Sequence, residues 1–287
     1  MKAVVYTRYG PPDVLRFTDV ETPSPRDHEV LVKVHAVSLN ASTAGRNATL
    51  FQPGDDVFAD ILGDLGGFAE YVCVPESALA RMPAGMTYEE AACLLQAGVI
   101  ALQGIRDKGR VQPGQQVLIN GAGGGSGLYA VQLAKLHGAE VTGVDHSEKL
   151  EFMRSLGADH VIDYTREDFT KNGRSYDLIL DLVAHRSASA YKGSLTAGGR
   201  YLYVGGSMAT LLQVLTMGPS IGRAEGKKIR LLVVRQGARH LTPIVELFQA
   251  GQITTVIDRR YRLSEVPEAL RYLGEGHAKG KVVVIVE

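Results

Sequence analysis

The sequence has little cysteine, no surplus of either charge and no long apolar run, and each shortage removes a class of protein. Two cysteines in 287 residues, Cys73 and Cys93, are too few for a disulfide framework or a cysteine-rich zinc site, and they fit a reducing cytoplasmic setting. Lys plus Arg and Asp plus Glu each number 31, so no net field gathers nucleic acid or anionic lipid. No stretch approaches the roughly 20 uncharged apolar residues of a bilayer span, and the run at the amino terminus is too short for a signal peptide. The expectation is a soluble protein with neither nucleic acid nor membrane as partner. No Ser-His-Asp set, metal-ligand cluster or P-loop lysine stands out, and the eight histidines are dispersed.

What remains is an ordinary globular composition, 45% hydrophobic, and a length that predicts two domains. Glycine is the exception at 33 residues, above the usual ~7%, which points to tight turns or close backbone approach to a ligand. Residues 1 to 82 read as β structure, since Val30, Val32 and Val34 alternate with Leu31, Lys33 and His35, and Phe68, Glu70, Val72 and Val74 with Ala69, Tyr71 and Cys73. From Thr87 the period becomes helical, with Glu90 at capping-box spacing and Ala91, Leu94, Leu95 and Gly98 following, and a boundary falls near residue 96.

Strands and helices then alternate. Val117 to Asn120, Val141 to Val144, His160 to Ile162, Leu178 to Leu180, Tyr201 to Val204 and Leu231 to Val234 read as buried strands. Between the first three lie helices from Leu128 to His137, stopped by Gly138, and from Ser147 to Leu156, stopped by Gly157. Right-handed crossovers of this kind build an α/β, doubly wound parallel sheet. The tail reads as a helix from Leu241 to Ala250, a strand near Thr254 to Ile257, a helix capped by Ser264 and a strand from Val282 to Val286.

The glycines concentrate in Gly121-Ala122-Gly123-Gly124-Gly125-Ser126-Gly127, between a strand and a helix. Ala122, Gly124 and Gly127 match the dinucleotide fingerprint with Ala in its first position. Gly124 would let the backbone approach a pyrophosphate and Gly127 would let helix and strand pack closely, while free N–H groups at the helix start favour an anion. Gly125 and Ser126 supply such groups. Asp145, 18 residues past Gly127, ends the next strand, where a carboxylate accepts hydrogen bonds from the adenosine ribose and repels a 2′-phosphate. That leans the cofactor towards NADH over NADPH. The other reading of Asp145 is the N-cap of the helix from Ser147. Lys149 is either a cation for a 2′-phosphate or a solvated helix lysine.

With these residues in place, the chain resembles, end to end, the zinc-free quinone oxidoreductase (zeta-crystallin-like) branch of the medium-chain dehydrogenase/reductase superfamily. The resemblance is carried by Glu29-Val30-Leu31-Val32-Lys33-Val34, Ser38-Leu39-Asn40, Phe51-Gln52-Pro53-Gly54-Asp55, Gly66-Gly67-Phe68-Ala69-Glu70-Tyr71-Val72 and Val111-Gln112-Pro113-Gly114. Later come Leu156-Gly157-Ala158-Asp159-His160-Val161-Ile162-Asp163-Tyr164, Gly198-Gly199-Arg200-Tyr201 and Gly280-Lys281-Val282-Val283. It implies a GroES-like catalytic domain over 1–96, a Rossmann domain over 97–236, a return segment over 237–287, and a homodimer.

It further implies hydride transfer from NAD(P)H to a quinone or an α,β-unsaturated carbonyl. Asn40 would lie beside the nicotinamide as hydrogen-bond donor, with Ser42 as a proton relay. Tyr164 would lie on the adenosine side and Gly205 and Gly206 beside the cofactor, unless those two glycines form a plain turn. Zinc ligands of related enzymes fall at Asn40 and Gln96, so no metal is expected. Ile100 replaces a threonine usual near the ring. Between Thr43 and Ala44 the family has several tens more residues, which here predicts cofactor binding with weak turnover. Two alternatives stay open: a zinc-free alcohol or aldehyde dehydrogenase, and a dinucleotide-binding protein of structural or regulatory role.

Overall fold

The structure is a computed structural model that describes residues 1–38, 51–52, 54–59, 66–235 and 238–286. It divides into two compact units, one of Met1–Val99 with Arg235–Gly251 and Thr255–Glu287, the other of Ile100–Val234 with Gln252–Thr254.

The amino-terminal residues form short antiparallel pairs, as alternation predicts. Strand β1 (Lys2–Val5) pairs with β2 (Arg16–Asp19), and β3 (Glu29–Lys33) and β4 (Ala36–Ser38) follow. After β5 (Val57–Ala59) come β6 (Tyr71–Pro75), which pairs with β3, and β7 (Leu79–Arg81), which pairs with β5. Val72 and Val74 turn into the core at 7% and 0% exposure, the buried half of the predicted alternation. Helix α1 (Tyr88–Leu102) opens on the expected capping box: the Glu90 N–H donates to Thr87 Oγ1 at 3.2 Å and the Thr87 N–H to Glu90 Oε2 at 2.9 Å.

The second unit is a six-stranded sheet. It comprises β8 (Gln116–Asn120), β9 (Glu140–Asp145), β10 (His160–Asp163), β11 (Tyr176–Asp181), β12 (Leu195–Tyr203) and β13 (Lys228–Leu231). All neighbours are parallel in the order β10-β9-β8-β11-β12-β13, so the sequence direction reverses between β8 and β11. Val117, Leu118 and Ile119 are wholly buried, as a strand covered on both faces requires. Helices α2 (Gly125–Leu136), α3 (Leu150–Ser155), α4 (Ala188–Gly193) and α5 (Met208–Thr216) lie between them.

Both expected glycine stops are present. Gly138 has φ +74°, with its N–H on the Lys135 carbonyl and the Ala139 N–H on that of Ala134. Gly157 at φ +103° repeats the pattern on Arg154 and Met153, so each helix closes in a Schellman motif that only a left-handed residue completes.

The chain then forms α6 (Ala238–Gln249), β14 (Ile257–Arg262), α7 (Val266–Gly274) and β15 (Lys281–Ile285), and β15 lies between β14 and β4 in a three-stranded sheet. The end of the chain thus pairs with its beginning, Val284 opposite Val37.

Several boundaries differ from the sequence reading. The edge strand is Lys228–Leu231 rather than 231–234, because an edge strand buries one side: Ile229 is at 1% while Lys228 and Arg230 are exposed. The strand expected at 254–257 begins only at Ile257. Ser264 does not cap a helix; it lies in a 3-10 turn, Leu263–Glu265, where the Arg262 N–H donates to the Glu265 carboxylate at 2.7 Å. The helix expected from Ser147 starts as a 3-10 turn, Ser147–Lys149, with α3 proper beginning at Leu150.

Candidate functional site

Parallel sheets of this order bind ligands beyond the carboxyl ends of their strands, at the reversal between β8 and β11. That is where the glycine loop leaves β8. Its own donors are spent on holding its shape. The N–H groups of Gly121 and Ala122 donate to the Val144 carbonyl at 2.9 and 3.1 Å, that of Gly123 to Asp145 Oδ2 at 3.0 Å, and that of Gly124 to the Gly121 carbonyl at 3.1 Å. Gly124 is the N-cap of α2, so the donors left over at the helix start are those of Gly125, Ser126 and Gly127, which by helix geometry lack partners within the helix.

The glycines have distinct reasons to be glycine. A Cβ on Gly127 would lie 2.2 Å from the Gly121 carbonyl oxygen and 2.6 Å from Ala122, so this residue permits the close packing of loop on helix. Around Gly124 a Cβ would meet only the Gly121 oxygen, at 3.4 Å, leaving that side open to a ligand backbone or phosphate. Gly123 is outside the fingerprint, yet its Cβ would fall 2.7 Å from Lys149 Cδ and 3.1 Å from Asp145 Oδ2.

Asp145 ends β9, as expected, and is 8% exposed. It is not the N-cap of the following turn, which is His146; the Asp145 carboxylate instead accepts from the Gly123 N–H at 3.0 Å and the His146 N–H at 2.8 Å. Lys149 is not a solvated lysine. Its side chain is buried and Nζ is 3.2 Å from Asp145 Oδ1. Tyr164 follows β10, half open at 46%, with its N–H on the Asp145 carbonyl at 3.2 Å and its ring 6.1 Å from that of His146.

Beyond β11 and β12 the loops are tied to each other. The Ala184 N–H donates to the Gly205 carbonyl at 2.8 Å, and Ala184 and Gly206 form a parallel bridge. Gly206 has φ +135°, and a Cβ there would sit 2.1 Å from the Ala184 oxygen. Gly205 and Gly206 are therefore tied to the loop after β11 through one isolated bridge.

Sequence reasoning missed the group beneath these loops. Asp181, fully buried at the end of β11, accepts from Asn120 Nδ2 at 2.7 Å, Tyr201 Oη at 2.9 Å and the Val183 N–H at 3.3 Å. Burial pushes its carboxyl above the usual carboxylate range, and the donated hydrogen bonds offset part of that. One carboxyl thus joins the strand that feeds the glycine loop to the loop after β11. A charge closing the apolar run Leu178-Ile179-Leu180 was the available signal.

Asn40 and Ser42 lie outside the described residues. Gln96 and Ile100 are half-buried on α1, one turn apart. Cys93, on the same helix, is buried, and desolvation pushes its thiol up to about 11.

Residues 156–284 match the family model described as "Zinc-binding dehydrogenase". The chain is similar to the chloroplastic quinone-oxidoreductase QR1 of Triphysaria versicolor, 32% identical over 327 residues that cover 99% of this chain and 98% of that one. It is also similar to the mitochondrial NAD(P)H oxidoreductase RTN4IP1 of Mus musculus, 31% identical over 100% of this chain and 89% of that one. Among solved structures, the quinone oxidoreductase from Coxiella burnetii superposes with a TM-score of 0.88 at 26% identity, covering 100% and 99% of the two chains. Fold, glycine cradle and relatives together define a Rossmann dehydrogenase with a GroES-like domain, and the chain belongs to the medium-chain dehydrogenase/reductase superfamily. Within it the chain falls in the quinone oxidoreductase branch and is an NAD(P)H-dependent oxidoreductase.

Proposed function

We propose that this chain transfers hydride to a quinone or to the β-carbon of an α,β-unsaturated carbonyl, without a metal ion. The observation that carries the proposal is the cradle: the glycine loop, the free N–H groups at the start of α2 and Asp145 suit a dinucleotide's pyrophosphate and adenosine ribose. When bound, a reduced nicotinamide supplies the hydride. The acceptor gains that hydride and one proton, a two-electron reduction. Asn40 donates a hydrogen bond to the oxygen on which negative charge develops, and Ser42 relays the proton from solvent. Quinones and enones share the conjugated carbonyl this arrangement serves, and the relatives' names point to the same chemistry.

Zinc independence rests on the donor set. By the resemblance, Asn40 and Gln96 occupy the sequence positions of the ligands in zinc-dependent relatives, and the Cys93 thiol, held protonated by burial, is a poor one. NADH is preferred by less than tenfold, a preference attributed to Asp145. Two copies associate, in this proposal, through the edge of the sheet at β13 and the apolar stripe of Met208, Leu212 and Leu215 on α5, exposed at 67%, 55% and 52%. A cytosolic location rests on the two cysteines alone. No helix among the described residues is long and apolar enough to cross a membrane, and the two relatives named above are chloroplastic and mitochondrial.

The test is oxidation of NADH and NADPH by a panel of quinones, enones and aldehydes before and after chelation. Loss of activity to the chelator with recovery on adding zinc overturns the metal-free reading. Oxidation of alcohols with no reduction of quinones or enones overturns the substrate class.

A further inference from the structure

A dinucleotide lies across the reversal between β8 and β11, and Asp145 and Tyr164 put its adenosine on the β9 and β10 side. The nicotinamide half then falls to the loops after β11 and β12. The first of these, residues 182–186, is held from beneath by one carboxyl. The Val183 N–H donates to Asp181 Oδ1 at 3.3 Å, the His185 and Arg186 N–H groups donate to Tyr191 Oη at 3.2 and 3.0 Å, and the Tyr191 hydroxyl donates to Asp181 in turn. Asn120 Nδ2, one residue before the glycine loop, and Tyr201 Oη donate to the same carboxyl. The two loops touch, since a Cβ on Gly121 would lie 3.2 Å from Val183 Cγ2 and 3.3 Å from Leu182 Cβ.

Among the described residues no cation pairs with this carboxyl, although it is wholly buried. The titratable groups packed against it are Tyr191 from α4 and Tyr201 and Tyr203 from β12, whose hydroxyls burial pushes up, so they stay neutral. Of the charged groups in its loop, Arg186 is 3.2 Å from Asp168, and His185 keeps Nδ1 on the Val183 carbonyl at 2.7 Å.

Building on the reading that this unit binds a nicotinamide dinucleotide, we propose that Asp181 is a proton-controlled counter-charge for the nicotinamide ring, which when ionised favours the oxidised ring over the reduced one. Loss of hydride takes two electrons and one proton from a neutral ring and leaves it cationic. A buried anion with no cation of its own acts on that change over a distance that water would screen. Burial raises the carboxyl, so the charge is absent at low pH and appears as pH rises through the raised value. Oxidised cofactor should accordingly bind with release of a proton, which reduced cofactor does not require.

The test measures two dissociation constants on the full chain, NADH by its own fluorescence and NAD⁺ by displacing it, from about pH 6 to about pH 9. The 2′-phosphorylated pair replaces them if it binds more tightly. Both redox forms carry the same adenosine and pyrophosphate, so titration on that side cancels in the ratio. In the wild type NAD⁺ should gain on NADH by about tenfold or more as pH rises. His185→Gln should keep that gain and Asp181→Asn should abolish it. A ratio that does not move with pH, a gain that survives Asp181→Asn, or one that vanishes in His185→Gln overturns the counter-charge. If Asp181→Asn does not fold, the wild-type and His185→Gln series decide. Failure of the wild type to bind either cofactor overturns the dinucleotide reading itself, so the two failures are separable.

Discussion

The two units fix their chemistry by different means. In the unit of Ile100–Val234, the groups proposed to meet the cofactor follow the ends of buried strands, and these ends are cross-tied: Asp181 to Asn120, Gly123 to Asp145, Tyr164 to the Asp145 carbonyl, Ala184 to Gly205. In the unit that holds the amino terminus, the residues proposed to meet the substrate follow β4, in the passage from which the sequence reading expects several tens of residues to be missing. The alignment with the Triphysaria protein spans 327 positions but takes in 99% of a 287-residue chain, so about 40 positions have no counterpart here. A backbone cradle survives such a loss elsewhere in the chain; a substrate pocket does not, since misplacing a reacting group by about 1 Å costs roughly a hundredfold in rate. Binding and turnover should therefore separate.

The largest effect that would sharpen this contrast is expected from Gly127→Ala. The added methyl meets the Gly121 carbonyl at 2.2 Å, so loop or helix must move, and NADH affinity should fall by about a hundredfold or more in a fluorescence titration. Affinity within threefold of wild type would break the assignment of the loop. Asn40→Ala addresses the other unit. Its NADH affinity should stay within about threefold while quinone-dependent kcat falls by about tenfold or more. A parallel loss of binding would show that Asn40 serves the cofactor instead.

A smaller effect concerns what holds the strand ends. Asp181→Ala strands the Asn120 amide and the Tyr201 hydroxyl and should cost about 3 kcal/mol in urea unfolding. Asp181→Asn should cost less and supplies a pH test. Because the native carboxyl is raised by burial, its contribution to folding is full below the ordinary carboxylate range and is lost as pH rises through the raised value. The stability difference between wild type and Asp181→Asn should shrink accordingly as pH rises, and a difference that grows would refute the direction.

The smallest effect is at Glu225, whose carboxyl Lys192 and Lys227 hold down to about 2. Its contribution is present above the usual carboxylate range and lost as pH falls towards that value, so Glu225→Gln should lower the melting temperature slightly near neutrality and not at all in strong acid. Equal lowering at both would assign the effect to packing.

The sequence disclosed most about the unit where local chemistry decides structure. The strand-loop-helix passage of Gln116–Leu136, the stops at Gly138 and Gly157 and the acid at Asp145 follow from apolar runs, left-handed turns and spacing, and the structure shows each. Lys149 was not legible, because its burial depends on Gly123 leaving room for it, a tertiary fact that a four-residue spacing from Asp145 does not contain. Asp181 was hidden for a similar reason: its donors include Asn120 and Tyr201, which the sheet order brings to it, and the Tyr191 side chain from α4. At β13 the apolar run misled, since an edge strand buries only alternate residues. Asn40 and Ser42 were readable only through family resemblance, and they lie outside the described residues.

The central claim, that the cofactor is held by the Rossmann unit while turnover depends on the passage around Asn40, is tested most directly on one preparation whose intact mass matches 30.9 kDa. NADH binding by fluorescence and quinone-dependent NADH oxidation are measured side by side. The account predicts saturable binding with weak turnover; vigorous quinone reduction at that mass, or no binding of NADH or NADPH, would contradict it.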